Sequence, residues 1–371
     1  MKAEYAEFFA ALGRARGKSL RGGPPVALFG LDGYIDSLYT VVRGRDGAGE
    51  AECFRTLEQF LDRLRGAQRR SADQEILLKS RRAGGNAPLT AGCLSRLGFY
   101  ARCVGLFGEG GCAPPFSEMA GRCELISLGP PAKSISLEFS DCKLMFGELE
   151  ALRELTLERL LERLDERELT RFLEQSRLIS FLNWAGTPHL TGILSYLTSR
   201  ILDRMDLGGK TFLFDFSDIR ARRAEDFLAY LEVIAHIAGM ARVVVSLNEN
   251  EAEAAACCCG LPAGPPGEVG EALRNAFGVQ AVVIHALDGA LAFEAGRRSE
   301  AAGFYMERPA ITTGGGDNFN GGLCAGLLLK LPMGPCLTLA NAAARYYVAH
   351  GESGTLDQVV ADLRRRIAAI G

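Results

Sequence analysis

The sequence is short of the residues that would mark a metal or redox centre. It holds four histidines in 371 residues, none at ligand spacing from another, and it has no Cys-x-x-Cys pair, which excludes the common zinc frameworks. The eleven cysteines are densest at Cys257-Cys258-Cys259, but adjacent cysteines cannot all point at one tetrahedral ion. Reduced thiols in a cytoplasmic protein are the expectation, with a structural disulfide or zinc site the alternative. No apolar run approaches the ~20 residues that span a bilayer, and residues 1–7 are acidic rather than signal-like. Neither sign of charge dominates. A net charge of −3 gives no pull toward nucleic acid or an anionic membrane surface. A Gly-x-x-x-x-Gly-Lys-Ser/Thr run is also missing, so a P-loop is excluded.

What is present is an alternation of apolar strands and helices. Residues 26–29, 100–107, 178–182, 211–214, 243–247 and 281–284 read as buried strands. Segments 87–97, 189–205, 224–238, 249–257 and 268–277 have helical spacing. Such units predict a mostly parallel sheet covered on both faces. A helix at 4–16 is expected before a break at Gly22-Gly23-Pro24-Pro25. Two stretches do not fit the layering. Residues 37–43 read as a strand, and 134–147 as two extended segments around Ser140-Asp141; together they predict a small separate sheet near the site. Residues 149–177 read as an interrupted surface helix.

The most informative run is Ile311-Thr312-Thr313-Gly314-Gly315-Gly316-Asp317-Asn318-Phe319-Asn320-Gly321-Gly322, followed by a small-residue helix. Glycines let successive N–H groups turn toward one point, and a helix start leaves N–H groups unpaired with a partial positive charge. Together they make an anion hole suited to phosphate. A carboxylate there suits a general base beside a transferring phosphoryl group, or else Asp317 caps the helix. A dinucleotide fingerprint fits poorly, because it should follow the first strand and this run lies near the C-terminus.

Residues 312–322 resemble the C-terminal signature of the ribokinase-like (PfkB type) carbohydrate kinases. Thr312, Thr313, Gly314, Gly316, Asp317, Phe319, Gly321 and Gly322 match, with Gly315 in place of the usual alanine. The resemblance implies an α/β ribokinase-like fold, a single kinase domain over 1–371 with lid segments at about 37–43 and 134–147. It implies ATP-dependent phosphorylation of a sugar or sugar-like alcohol, with Asp317 as catalytic base and the Gly314, Gly315 and Gly316 backbone as anion hole. Ile311 stands where the family often has an aspartate tied to a monovalent-cation site, so a potassium requirement stays open. Asn248 and Glu251 match the family's Asn-x-x-Glu. A carboxylate and an amide at a strand end can organise the water shell of Mg²⁺; the same spacing also suits a helix capping box. On the nucleotide side, Gly289 matches the strand–loop–strand bordering ATP, although Ala286 replaces a usual glycine, and Asn341 falls on the helix beside the base.

For the acceptor, Gly84-Gly85-Asn86 before a helix ending at Leu97-Gly98 resembles the family's N-terminal signature. Leu89 replaces the substrate-binding asparagine, and Asn86 offers a substitute amide on chemical grounds. The Gly30-to-Asp36 stretch resembles the first-strand motif whose aspartate binds sugar hydroxyls, with Asp36 the first choice and Asp32 the second; a turn cap is the alternative for each. Lys79, Arg81 and Arg82 would serve a phosphorylated acceptor or be a solvated run. Asp215 and Arg220 resemble a strand-end contact pair. The resemblance also implies a homodimer paired through the lids. A nucleoside kinase of the same fold, a phosphosugar kinase and a non-catalytic metabolite binder are the other readings.

Overall fold

A computed structural model of the chain describes residues 2–19, 26–303, 306–307, 309–311 and 313–370. The expected break at Gly22-Gly23-Pro24-Pro25 and the matched Thr312 lie outside these residues. The helix Lys2–Ser19 precedes β1 (Val26–Gly30). Then come β2 (Tyr34–Arg45), β3 (Ala51–Cys53), the helix Leu57–Arg65 and β4 (Ile76–Gly84). The helix Asn86–Arg96 leads to β5 (Tyr100–Gly105), β6 (Glu124–Ser127), β7 (Ala132–Glu138) and β8 (Lys143–Glu148). Regular alternation then runs through β9 (Ser176–Phe181), helix Leu190–Arg200, β10 (Thr211–Asp215), helix Ala224–Ala238 and β11 (Arg242–Asn248). Helices Glu249–Cys258 and Pro266–Phe277 precede β12 (Ala281–His285) and the hairpin strands β13 (Gly289–Glu294) and β14 (Arg297–Ala302). Helices Gly315–Leu328, Met333–His350 and Leu356–Ile370 follow.

The main sheet has nine strands in the order β14-β13-β12-β11-β10-β9-β1-β5-β6. From β12 to β6 every pairing is parallel, and β13 and β14 add antiparallel at one edge. Parallel strands buried on both faces read as continuous apolar runs, and β10 shows why. Its Phe212 and Phe214 pack into one core cluster with Trp184 and Tyr230. Leu213, pointing the other way, joins Phe29, Val244 and Leu323 on the opposite face. Strand order reverses between β1 and β9, and at such a point the carboxyl ends of parallel strands open a crevice.

A second sheet runs β3-β2-β7-β8, with β4 also paired to β2. It has a small core of Val41, Phe54, Phe60, Leu137 and Phe139. Burying such side chains contributes about 1.5–3 kcal/mol each, so the sheet has an apolar reason of its own to hold its shape. The strand expected at 37–43 extends to Tyr34–Arg45, and 134–147 is the β7–β8 hairpin. The sequence reading assigned no strand to β4. Its charged residues and weak alternation suit an exposed edge, and it becomes a strand by pairing with β2 from Tyr34 to Val41. Residues 149–177 form three short helices before β9, two of them capped by Thr156 and Asp165. Among the described residues no helix is long and apolar enough to cross a membrane. All eleven cysteines are free thiols.

Candidate active site

Parallel strands all finish at one end of the sheet, and the polar residues gather there. Asp32 follows β1, Asn183 follows β9, and Asp215, Asn248 and His285 are the last residues of β10, β11 and β12. The glycine run meets them at His285, whose Cε1 would lie 3.5 Å from a Cβ on Gly316. Gly314 has φ +92° and forms the N-cap of the helix Gly315–Leu328, a left-handed conformation that favours glycine. A Cβ at Gly314 would also stand 2.9 Å from the Tyr347 hydroxyl oxygen. The first-turn N–H groups are the unpaired donors of a helix start. Asn318 Nδ2 donates to the Gly314 carbonyl at 2.9 Å, which fixes the turn. Asp317 is the third residue of the helix, so the cap position is taken by Gly314 and not by Asp317.

A cavity of about 400 Å³ opens on one side of the run, lined by Asp36, Arg82, Leu89, Lys143, Thr313 and Tyr347 among others. A second, of about 600 Å³, opens on the other side, against Asn248, His285, Gly316, Phe319, Asn341 and Arg345. A cleft of about 720 Å³ adjoins the smaller cavity and shares Arg82, Leu89 and Tyr347 with it, and one of about 730 Å³ lies at the opposite end of the strands, against Arg177, Thr211 and Arg242, so size does not single out the site. What does is the carboxyl that follows the glycine run, whose Thr313 lines one of the two smaller cavities and whose Gly315 and Gly316 line the other. Burial pushes the Asp317 carboxyl well above its usual range, and the negative charges of Asp215, Asp32, Asp36 and Glu251 push the same way. A carboxylate so surrounded is a better proton acceptor than a solvated one.

The expected acceptor residues divide into two kinds. Asp36, on β2, lines the smaller cavity. Burial raises its carboxyl, and the Lys143 charge pulls it back. Gly84 closes against it, for a Cβ there would lie 2.2 Å from Asp36 Oδ2. Leu89 lines the same cavity. Asp32 is instead fully buried and saturated. Its Oδ2 accepts from the Asn86 backbone N–H at 2.9 Å and from Asn183 Nδ2 at 2.8 Å, and its Oδ1 from the Ala87 N–H at 2.9 Å. It thereby caps the helix Asn86–Arg96, whose own N-cap, Gly85, has no side chain to do so. Burial raises Asp32, and those three hydrogen bonds oppose the rise. Asn86 takes part through its backbone; neither it nor Gly85 lines the smaller cavity.

Asn248 and Glu251 form the capping box that was the alternative reading. Asn248 Oδ1 accepts the Glu251 N–H at 2.9 Å, and Glu251 Oε2 accepts the Asn248 N–H at 2.9 Å. Glu251 is nonetheless buried, and burial followed by the Asp215 charge raises it well above an ordinary glutamate. Asp215 is raised too, chiefly by burial, and it accepts from Asn320 Nδ2 at 2.8 Å. Arg220, its expected companion, is exposed and pairs with Glu253. Among the described residues there is no group of three or more His, Cys, Asp or Glu side chains that could hold a metal. Mg²⁺ does not require one, since it keeps several waters and takes one or two carboxylates plus substrate phosphates. Two buried carboxyls, one of them raised by the charge of the other, fit such a cation.

Asn341 lines the larger cavity, with its amide nitrogen donating to the carbonyls of Ala301 at 3.0 Å and Ala302 at 3.2 Å. Gly289 opens β13, and its carbonyl accepts the Ala286 N–H at 2.8 Å. It shapes the loop whose Ala286 and Leu287 line the cavity. Of the basic run, Lys79 pairs with Glu138, Arg81 Nε donates to Ser37 Oγ at 3.3 Å, and Arg82 lines the smaller cavity. Sequence reasoning gave no role to Lys143, Tyr347 or His285. Lys143 Nζ donates to Thr313 Oγ1 at 2.9 Å, and Tyr347 Oη donates to the Thr313 carbonyl at 3.1 Å. No local motif marks either contact.

Comparison with known proteins gives a consistent picture. The family model described as prokaryotic ketohexokinase matches residues 14–365. The chain is 30% identical over 335 residues to a ketohexokinase of Haloferax volcanii, covering 90% of this chain and 89% of that one. Among solved structures, the adenosine kinase of Sinorhizobium meliloti aligns with a TM-score of 0.64 at 18% identity, over 93% of this chain and 100% of that one. Arabidopsis thaliana ribokinase complexed with ribose and ATP aligns with a TM-score of 0.63 at 14% identity, over 91% and 98%. At these identities the structural likenesses establish the fold.

Proposed function

The chain belongs to the prokaryotic ketohexokinase family of ribokinase-like kinases, and on that footing we propose a ketohexose as its acceptor and ATP as its donor. It is a sugar kinase, a phosphotransferase with an alcohol group as acceptor. The observation that carries the finer assignment is Asp317 standing directly after Gly316, with one cavity on either side of the run.

In this reading the sugar occupies the cavity of Asp36, Leu89 and Lys143, where the Asp36 carboxylate accepts hydrogen bonds from its hydroxyls. Asp317 takes the proton of the reacting hydroxyl as the sugar oxygen bonds to the γ-phosphorus. The bond from that phosphorus to the β–γ bridging oxygen breaks, and ADP leaves. N–H groups of the Gly314–Gly316 turn donate to the phosphoryl oxygens, and Lys143 adds a positive charge from the other side. Glu251, with Asp215, would hold Mg²⁺ through water; bound, that ion supplies charge neutralisation for the polyphosphate. The second sheet serves as a lid over the sugar and keeps out water. Leu78, Met145 and Phe146 are exposed apolar residues on that sheet, which supports the pairing of two lids in a dimer. The single-domain reading of 1–371 rests on the small sheet following directly from β1.

A screen of ADP release over ketohexoses, aldoses, phosphosugars and nucleosides tests the acceptor. Turnover restricted to nucleosides would overturn it. Asp317→Asn is expected to lower kcat by about 10²–10⁴-fold while ADP still binds; wild-type turnover in that variant would remove Asp317 as the base.

A further inference from the structure

We infer that His285 is a binding residue for the donor nucleotide, giving an imidazole N–H to its phosphate chain beside the glycine run. The inference rests on the larger cavity being the donor site. Of the four histidines, His189, His236 and His350 each engage a protein acceptor. The His285 imidazole has no hydrogen-bond partner among the described residues, although the residue is half-buried and lines the cavity.

Its place is fixed. It is the last residue of β12, in register with Asn248 of β11, and its ring stacks on Phe319 with centroids 4.6 Å apart. A Cβ on Gly316 would lie 3.5 Å from His285 Cε1 and 4.0 Å from Nε2, so the imidazole edge stands alongside the anion hole. Burial holds the imidazole down to about 4, leaving it neutral near pH 7 with one nitrogen as donor and one as acceptor. Polar groups in such positions are normally satisfied by protein, water or ligand. The neighbouring donors of the helix start select an occupant rich in acceptors, and phosphate oxygens are that. A neutral donor adds a directional contact without the stronger hold of a charged one, which suits a site that must release ADP after each turnover.

The test is calorimetric titration of ADP and of adenosine into the wild type, His285→Phe and His285→Gln. Phenylalanine keeps a ring against Phe319 and loses the N–H; glutamine restores an N–H. Expected is ADP binding weaker by about tenfold in His285→Phe and largely recovered in His285→Gln. Adenosine binding should be the same in all three, and the sugar KM unchanged. His285→Leu carries the same expectation if the phenylalanine variant does not fold. Unchanged ADP affinity in His285→Phe, or equal weakening of ADP and adenosine, would overturn the inference while leaving the donor site intact. A wild type that binds no ADP would overturn the donor-site reading itself.

Discussion

Lys143 Nζ donates to Thr313 Oγ1 at 2.9 Å, tying a strand of the small sheet to the residue just ahead of the glycine run. Tyr347 holds the carbonyl of the same residue from the other side at 3.1 Å. Thr313 is thus gripped twice, and Gly314 beside it carries the left-handed turn on which the helix start depends.

Replacing that lysine separates its charge from its packing. Lys143→Met is expected to lower kcat/KM by about 10²-fold, with Lys143→Arg partly active and ADP affinity equal in both. Steady-state kinetics beside ADP titration reads the difference. Wild-type kcat/KM in Lys143→Met would take the lysine out of the reaction.

The two aspartates near β1 should fail in different ways. Asp32→Ala leaves the Asn86 and Ala87 N–H groups and the Asn183 amide without their buried acceptor, and should cost about 2–4 kcal/mol of folding stability. Asp36→Ala should raise the sugar KM by about tenfold or more with little change in stability. Denaturant unfolding and sugar saturation curves, run on both variants, would show the contrast; a stable, weakly binding Asp32→Ala would reverse the assignment.

Stability should also depend on pH through the crowded carboxyls. Asp317 and Glu251 are held above their ordinary values, so between the ordinary and raised values the folded protein binds protons that the unfolded chain has released. Their contribution is therefore fully present below an unfolded carboxyl value of about 4 and is lost as pH rises through the raised values. The ligand-free protein should melt at progressively lower temperature as pH climbs through that window, and Asp317→Asn should flatten the slope. An identical slope in the variant would mean Asp317 titrates as an ordinary carboxyl. The acid limb of kcat should lie above that of an unperturbed carboxylate, because the base must be ionised to work.

The lid pairing has its own check. Leu78→Lys with Phe146→Lys should convert a dimer to a monomer in light scattering, whereas a wild-type monomer at micromolar concentration would end the dimer reading.

Much of this arrangement was legible in the chain. Apolar runs such as Val243–Leu247 announce buried parallel strands, and the Gly314–Asp317 run announces a helix-start anion hole, because both are local patterns. The rest is non-local. Asp32 finds its partners 54 and 55 residues later, and Lys143 finds Thr313 170 residues away. Nothing beside either residue in sequence signals the meeting. β4 became a strand only by pairing with β2. The Asn248–Glu251 spacing allowed two readings, and its geometry realises the capping box without using up both Glu251 oxygens.

Asp36 and Lys143 both belong to the small sheet, while Asp317 belongs to the main body. In the proposed mechanism the group that recognises the sugar is therefore carried by the cover, and the group that activates the sugar's hydroxyl stays with the base plate. On that proposal a sugar held on Asp36 would reach Asp317 only with the cover seated, and a molecule too bulky for Lys143 to reach Thr313 would stay out of range. Size discrimination and the timing of proton removal would then be one mechanical event, with the substrate measured by whether the cover can shut.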